Sequence, residues 1–450
     1  MDFILDVIHQ RMCLALHPHR RKLMKRWLIK MHVAALLCGA ALLWACPGMA
    51  DGVATPQGND PVITKIFSAM LGADLQTVAD IYKTSTDPVI HIVAAMVIER
   101  MHYNLDASSR DAETCMDTLI DSRPGTALMC GQFESANLRL AGRPGDADAK
   151  EAALIARFEG RSVDVQLSRM KAYGKQSAHE PIFAVDVPAQ DFTLPLVYSE
   201  RDPSPHIKAQ ANGQEIELLI DTGAHDVAIS EDMARKLGVE VTGTPISFSG
   251  WITKQEPGKR GLLKELKVGP VVWHNIPVLI VSNKRTALMG INMIAPLGSV
   301  RISRSTLTVG DAATENTKCD APMLISSTFW GDGLSIAVPM LIEGQWSTVR
   351  LDTGAYLYLL GTAKALDTAT ALRRSKRGVN DIGGSHLANT NNAKVKLEIS
   401  GQPVEVYFDV LTDSEVRWPI TLGAGALRDM DFLMDFKHQH MCLLLHPDLH

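Results

Sequence analysis

Leu218-Leu219-Ile220-Asp221-Thr222-Gly223-Ala224 and Val349-Arg350-Leu351-Asp352-Thr353-Gly354-Ala355 are two copies of one pattern. Each is a short apolar run that reads as a strand, closed by Asp-Thr-Gly and then Ala. Two matched carboxylates on matched loops form a general acid–base pair if the loops meet. A lone Asp-Thr-Gly is often only a turn in which the Asp bonds its own backbone. The surroundings of the two copies decide between these readings.

Those surroundings repeat as well. In the first half, residues 180–312, a strand over His206–Ala209, a turn at Asn212-Gly213-Gln214 and a strand over Ile216–Ile220 lead to the Asp. Val227-Ala228-Ile229 follows, then Ser230 as the cap of a short helix stopped by Gly238. In the second half, residues 319–450, the series is a strand over Ser335–Leu341, a turn at Glu343-Gly344-Gln345, a strand over Trp346–Leu351, the Asp, Tyr358-Leu359-Leu360, and a helical stretch from Thr362 to Leu372. Each half later closes an apolar pair on Gly: Leu288-Met289-Gly290, and Thr421-Leu422-Gly423 after Ile420. These glycines lie 69 and 71 residues past their Asp. A helix-then-strand is expected at each end, over Val300–Val309 and Phe436–Leu445. The spacing describes a β-rich unit duplicated in tandem.

Residues 51–175 read differently. Asp87-Pro88 is an N-cap followed by Pro at the first helical position. Val89, Val93, Met96, Val97 and Met101 then recur at helical spacing, and Arg123-Pro124-Gly125 and Arg143-Pro144-Gly145 divide the segment. A small helical domain is expected, either a bundle, a scaffold that binds a partner protein, or an inhibitory pro-segment.

Residues 1–50 carry export signals. Lys25, Arg26 and Lys30 precede the apolar run Val33–Ala45, and Gly48 and Ala50 supply a cleavage site. The run is short for an ordinary span, so secretion across the inner membrane to the periplasm is expected, without a stable membrane span. A lipid anchor or a membrane tether through residues 31–46 is the alternative. Residues 1–24 also repeat the chain's end, Met1-Asp2-Phe3 matching Met430-Asp431-Phe432 and Leu16-His17-Pro18 matching Leu445-His446-Pro447. Either the start is set too early, with Met24 or Met31 the real one, or the repeat is an extra strand.

Apolar residues make up 46% of the chain and charged residues 21%, enough to bury sizeable cores. From residue 51 onward, 38 basic face 48 acidic residues. That balance, with no basic stripe, argues against a nucleic-acid partner.

The two motifs and their spacing resemble the aspartic peptidases of the retropepsin and pepsin type. One such unit forms a homodimer in the retroviral enzymes, and two are fused in the pepsin-like ones. The resemblance covers about residues 180–450. It implies a mainly-β bilobal fold, two retropepsin-like β-barrel lobes, with the small α-helical domain in front. It further implies Asp221 and Asp352 as the catalytic dyad, with no metal and no cofactor, acting on a peptide or protein. Thr222 and Thr353 would exchange hydrogen bonds across the loops, and Gly223 and Gly354 would let the loops approach. Leu288, Met289, Gly290, Thr421, Leu422 and Gly423 would buttress them. Flap candidates are Gly250, Trp251, Gly383 and Gly384, about thirty residues past each Asp. Two residues depart from the family pattern. Arg350 replaces an apolar residue and is expected to point outward, away from the dyad; Asn292 stands where many relatives have Asp.

Past residue 50 four cysteines remain, and Cys115–Cys130 and Cys319–Cys442 are candidate disulfides in an exported chain. His438, His440 and Cys442 alternate along one strand, but no spaced partner pair completes a metal site. The rival to a peptidase is a peptide-binding scaffold of the same fold.

Overall fold

Asp60, Asp74 and Asp87 each accept a hydrogen bond from a backbone N–H of the turn that follows, and Pro61 and Pro88 occupy first helical positions. These caps start a run of seven helices: α1 Pro61–Leu71, α2 Leu75–Thr84, α3 Pro88–Met101, α4 Leu105–Leu119, α5 Pro124–Leu140, α6 Pro144–Phe158 and α7 Asp164–Ser177. From α3 onward each packs chiefly on its neighbours in the chain. A disulfide joins Cys115 of α4 to Cys130 of α5. The computed structural model describes residues 60–177, 182–199, 202–362, 373–399, 401–411 and 418–447. The export segment, the repeat of the chain's end and all but the first residue of the helix expected over 362–372 lie outside them; Thr362 itself ends a strand.

The two β halves have the same strand order. In the first, Asp202–Ala211, Gln214–Ile220, Ala287–Met289, Val227–Ser230, Val271–Val281 and Glu256–Val268 pair in turn, and the last pairs back on the first. In the second, Ser335–Ile342, Gln345–Asp352, Ile420–Gly423, Leu359–Thr362, Gln402–Leu411 and Gly384–Ile399 close the same cycle. Each cycle carries a hairpin strand, Glu240–Phe248 or Arg373–Asp381, and further edge strands, Ala184–Asp186 and Val197–Ser199 in the first half and Leu324–Ser326 in the second. The hairpin turns fall where the sequence puts them. Asn212 and Gly213, and Glu343 and Gly344, all sit at positive φ, as a two-residue hairpin loop demands. Ser230 Oγ accepts from Met233 N and caps the helix Glu231–Lys236.

A separate five-stranded sheet joins the halves. Its order is Phe192–Pro195, Thr306–Val309, Ser299–Ile302, Met430–Asp435, His440–Leu445. The helix-then-strand expected over Val300–Val309 and Phe436–Leu445 is therefore corrected: each half ends in a hairpin of two strands. Met430–Asp435 is buried throughout as an inner strand of this sheet, and His440–Leu445 alternates as its edge strand with Met441 and Leu443 inward, a period-2 pattern and not a helical one. Cys442, on its edge strand, is bonded to Cys319, and His438 turns to Asp435.

One apolar core runs through both β halves; a second lies among the helices. The helical core extends into the second half through Leu324, Phe329, Ala337 and Trp418. The helices dock on the edge strand Leu324–Ser326 and the connection after it, with Ser326 Oγ donating to Leu71 O. Arg100, with 0% exposure, is the pivot. Its guanidinium donates to Asn137 Oδ1, Phe133 O, Phe329 O and Thr328 O, and lies 3.2 Å from the Phe133 ring centroid. Among the described residues no helix is long and apolar enough to cross a membrane.

Candidate active site

Asp221 and Asp352 end equivalent strands, and their loops meet. The threonines hold them together. Thr222 N donates to Thr353 Oγ1, and Thr353 N donates to Thr222 Oγ1, both at 3.0 Å. Thr353 Oγ1 also donates to Ile220 O, and Thr222 Oγ1 to Leu351 O. Both threonines are fully buried, so each unmade bond would carry a desolvation cost of about 1–3 kcal/mol. That cost makes the crossing rigid.

Each carboxyl sits over the other loop's glycine. A Cβ on Gly223 would lie 2.2 Å from the Asp352 carboxyl carbon, and one on Gly354 would lie 2.5 Å from that of Asp221. Only residues without a Cβ allow this approach. Within each loop the Asp Oδ1 accepts from two backbone amides, Gly223 and Ala224 on one side and Gly354 and Ala355 on the other. The carboxyls therefore cannot swing away. Gly223→Ala is expected to fold yet lose about a hundred-fold or more in any activity that needs both carboxyls, because Asp352 must move by an ångström or more. Circular dichroism alongside an activity assay checks it; near-normal activity would show that the contact is slack.

Burial pushes the Asp221 carboxyl up to about 7; the Asp352 charge and a hydrogen bond between the two carboxyls add to this, and Arg350 and the Gly223 N–H oppose it. The first two effects outweigh the others, so the pair holds a proton into the neutral range.

The apolar-apolar-Gly segments lie where the sequence predicts. Leu288 and Met289 pair in parallel with Leu219 and Ile220, and Met289 O accepts from Asp221 N. Leu422 and Gly423 pair with Leu351 and Asp352, and Thr421 lies beside Arg350. Gly290 and Gly423 press on the carbonyls of the loops they support, His225 O and Leu357 O.

The two hairpin tips also meet, through a residue that the sequence reading passed over. Asp381, its side chain 5% exposed, accepts from Ile252 N, Thr253 N, Thr253 Oγ1 and Gly383 N, and contacts His386 Nε2. Burial alone would raise its carboxyl, but these bonds win and hold it below the usual range. Gly250 and Gly383 lie in this clasp, and Gly384 follows it. Trp251 packs with Ile252, Ala355 and Leu357 on a small apolar cluster that includes Leu360 and Val379. An acid two residues before a Gly-Gly pair, Asp381-Ile382-Gly383-Gly384, was the available signal.

Arg350 does not point outward. Its Nη2 donates to Gly223 O in the opposite loop, and its Nη1 is 3.4 Å from Asp352 Oδ2. The expectation failed on its own principle: residues two apart on a strand share a face, so Arg350 follows Asp352 into the cleft while Val349 and Leu351 fill the core. Asn292 donates to Asp226 Oδ1, and nearby His225 Nδ1 accepts from Leu334 N, on the connection that the helices hold.

The sequence profile of a family described as gag-polyprotein putative aspartyl protease matches residues 207–295, which contain the first Asp loop and its supporting Gly segment. A curated relative from a Sinorhizobium species, an uncharacterized protein in a cobV 5′ region, is 24% identical over 110 residues. That match takes 23% of this chain and 46% of the relative, so the chain spans less than half of the relative's length. Three solved structures also match. A retropepsin-like aspartic protease from Rickettsia conorii has 20% identity and a TM-score of 0.23, covering 28% of this chain and 94% of that one. Basic 7S globulin from soybean has 13% identity and a TM-score of 0.37, covering 57% and 95%. An aspartic proteinase from Irpex lacteus has 13% identity and a TM-score of 0.36, covering 57% and 98%. The chain is thus similar to the retropepsin-like and pepsin-like aspartic proteases.

Proposed function

We propose that this protein is an exported aspartic endopeptidase, with Asp221 and Asp352 as its dyad, one from each β half. The observation that carries the reading is the reciprocal pairing of Thr222 and Thr353, which fixes each carboxyl over the other loop's glycine. In the monoprotonated pair the ionised carboxylate takes a proton from water while the other carboxyl donates to the peptide carbonyl oxygen. Water adds, and the tetrahedral intermediate collapses with proton transfer to the leaving amine. The chain brings both acids itself, so a second copy is not required for chemistry. Two disulfides suit an oxidising compartment and support export.

Cleavage of an extended-peptide library between pH 4 and 8, with block by a statine-type inhibitor, tests the proposal. A folded protein that binds such peptides without cutting them at any of these pH values would favour the scaffold alternative. The pH response has a definite sign. The pair must keep one proton, and the Asp221 carboxyl stands at about 7. Cleavage should therefore persist to near-neutral pH and fall roughly ten-fold per pH unit above it. A steep loss already between pH 5 and 6 would contradict this.

The helices are read as part of the working fold, not as a plug. Their contacts run to the edge strand and connection of the second half, to Phe436 through Tyr103, and to the shared β core through Leu105 and Leu140, and none of the described side-chain bonds of the helices reaches Asp221–Ala224 or Asp352–Ala355. Docking of a partner protein on their outer faces remains compatible with this placement.

A further inference from the structure

We infer that Arg350 is a positioning residue that ties the two Asp loops together and sets the acidity range in which the carboxyl pair works. The inference rests on the peptidase reading for its kinetic test, but its geometry stands independently.

Arg350 lies on the strand that ends in Asp352 and bonds the carbonyl of Gly223, on the other loop. It is thus a further cross-link beside the threonines and the carboxyl pair, and one made by a cation. Its side chain is 12% exposed, and its Nη1 lies 3.4 Å from an Asp352 oxygen. A fixed cation at that distance, with little water around it, acts strongly on the pair. The strands flanking it contribute no competing charge, since Ala337 and Thr421 are its register neighbours. From the first loop the facing titratable groups are Asp221, His225 and Asp226; His225 is engaged by Leu334 N, and exposed Asp226 by Asn292. The equivalent position of the first half is Leu219, so the fold supplies one cation to a pair that is otherwise symmetric. That cation draws the Asp221 carboxyl of the pair to lower pH, against the burial that drives it upward.

Arg350→Leu, which copies Leu219, and Arg350→Lys, which keeps the charge but loses the planar fork, separate the two roles. For Arg350→Leu the alkaline limb of the kcat/KM–pH profile should move up by about one pH unit, with a lower kcat from the lost tie to Gly223. Arg350→Lys should stay nearer the wild-type limbs while sharing the lower kcat. A uniform fall in kcat with unmoved limbs, or an equal shift in both variants, would overturn the proposal. An activity-free readout runs in parallel: carbon-13 NMR titration of the labelled Asp carboxyls in the same variants. If the wild type cuts nothing, the peptidase reading fails, while the titration still supports or refutes the role of Arg350.

Discussion

Asp352→Asn is expected to cleave peptides at least ~10⁴-fold more slowly than the wild type at every pH, because acid and base act as one unit and neither half works alone. Asp221→Asn should do the same. The accompanying change in stability is diagnostic. The Asp221 carboxyl moves from 3.8 to about 7 on folding, so between these values the folded chain holds a proton that the unfolded chain has released. Stability from this group is fully present below pH 3.8 and is lost as pH rises through 7. Asn, always neutral, avoids that loss. Asp221→Asn should therefore match the wild type in stability near pH 4 and exceed it by on the order of 2–4 kcal/mol at pH 8. Denaturant melts at the two pH values measure this. A variant that is inactive yet less stable at pH 8 would mean that folding does not raise the Asp221 carboxyl through burial and its partner's charge.

Arg100→Met should cost about 3–5 kcal/mol and lower the melting temperature by on the order of 10 °C. The guanidinium is fully buried, and no carboxylate is among its partners; desolvation holds its pKa well below the usual value. It persists because it satisfies three backbone carbonyls and Asn137 at once. Methionine fills much of the volume but leaves those carbonyls unpaired, each at about 1–3 kcal/mol. The damage should also reach the active site. Arg100 pins residues 328–329, and six residues on Leu334 N meets His225 beside the first Asp loop. Proteolysis of the connection over 327–334 should therefore quicken, and peptide cleavage should weaken. A normal melting temperature would show that the helices contribute little to the second half, and would reopen the reading of them as a removable pro-segment.

The local choices were legible in the chain. Asp-Pro pairs start helices because the carboxylate caps free amides and proline needs none, and those helices are present. Asn-Gly and Glu-Gly turns, strand alternation and the matched distance from Asp to the supporting Gly all act over a few residues or one repeat. The doubled motif and a β-rich unit repeated in tandem followed from them, while the bilobal fold was what the resemblance implied. What failed was mostly long-range. Two end segments read as helix-then-strand became hairpins because their strands Ser299–Ile302 and Met430–Asp435 pair edge to edge in a sheet shared between the halves. Arg350 was misplaced although strand alternation already put it on the face of Asp352.

Asp381, Arg100 and His225 carry no mark in sequence that names their partners, which lie 128, 229 and 109 residues away in the chain. Sequence by itself determined the two carboxylates, their glycines and threonines, and the repeat that makes them equivalent, since each depends on backbone geometry that a tripeptide and its strand can specify. Only the tertiary structure decided what surrounds them: the cation beside the pair, the clasp between the hairpin tips, and the helices locked to the second half. Those depend on which buried polar groups meet when distant segments pack, and no local pattern encodes that meeting.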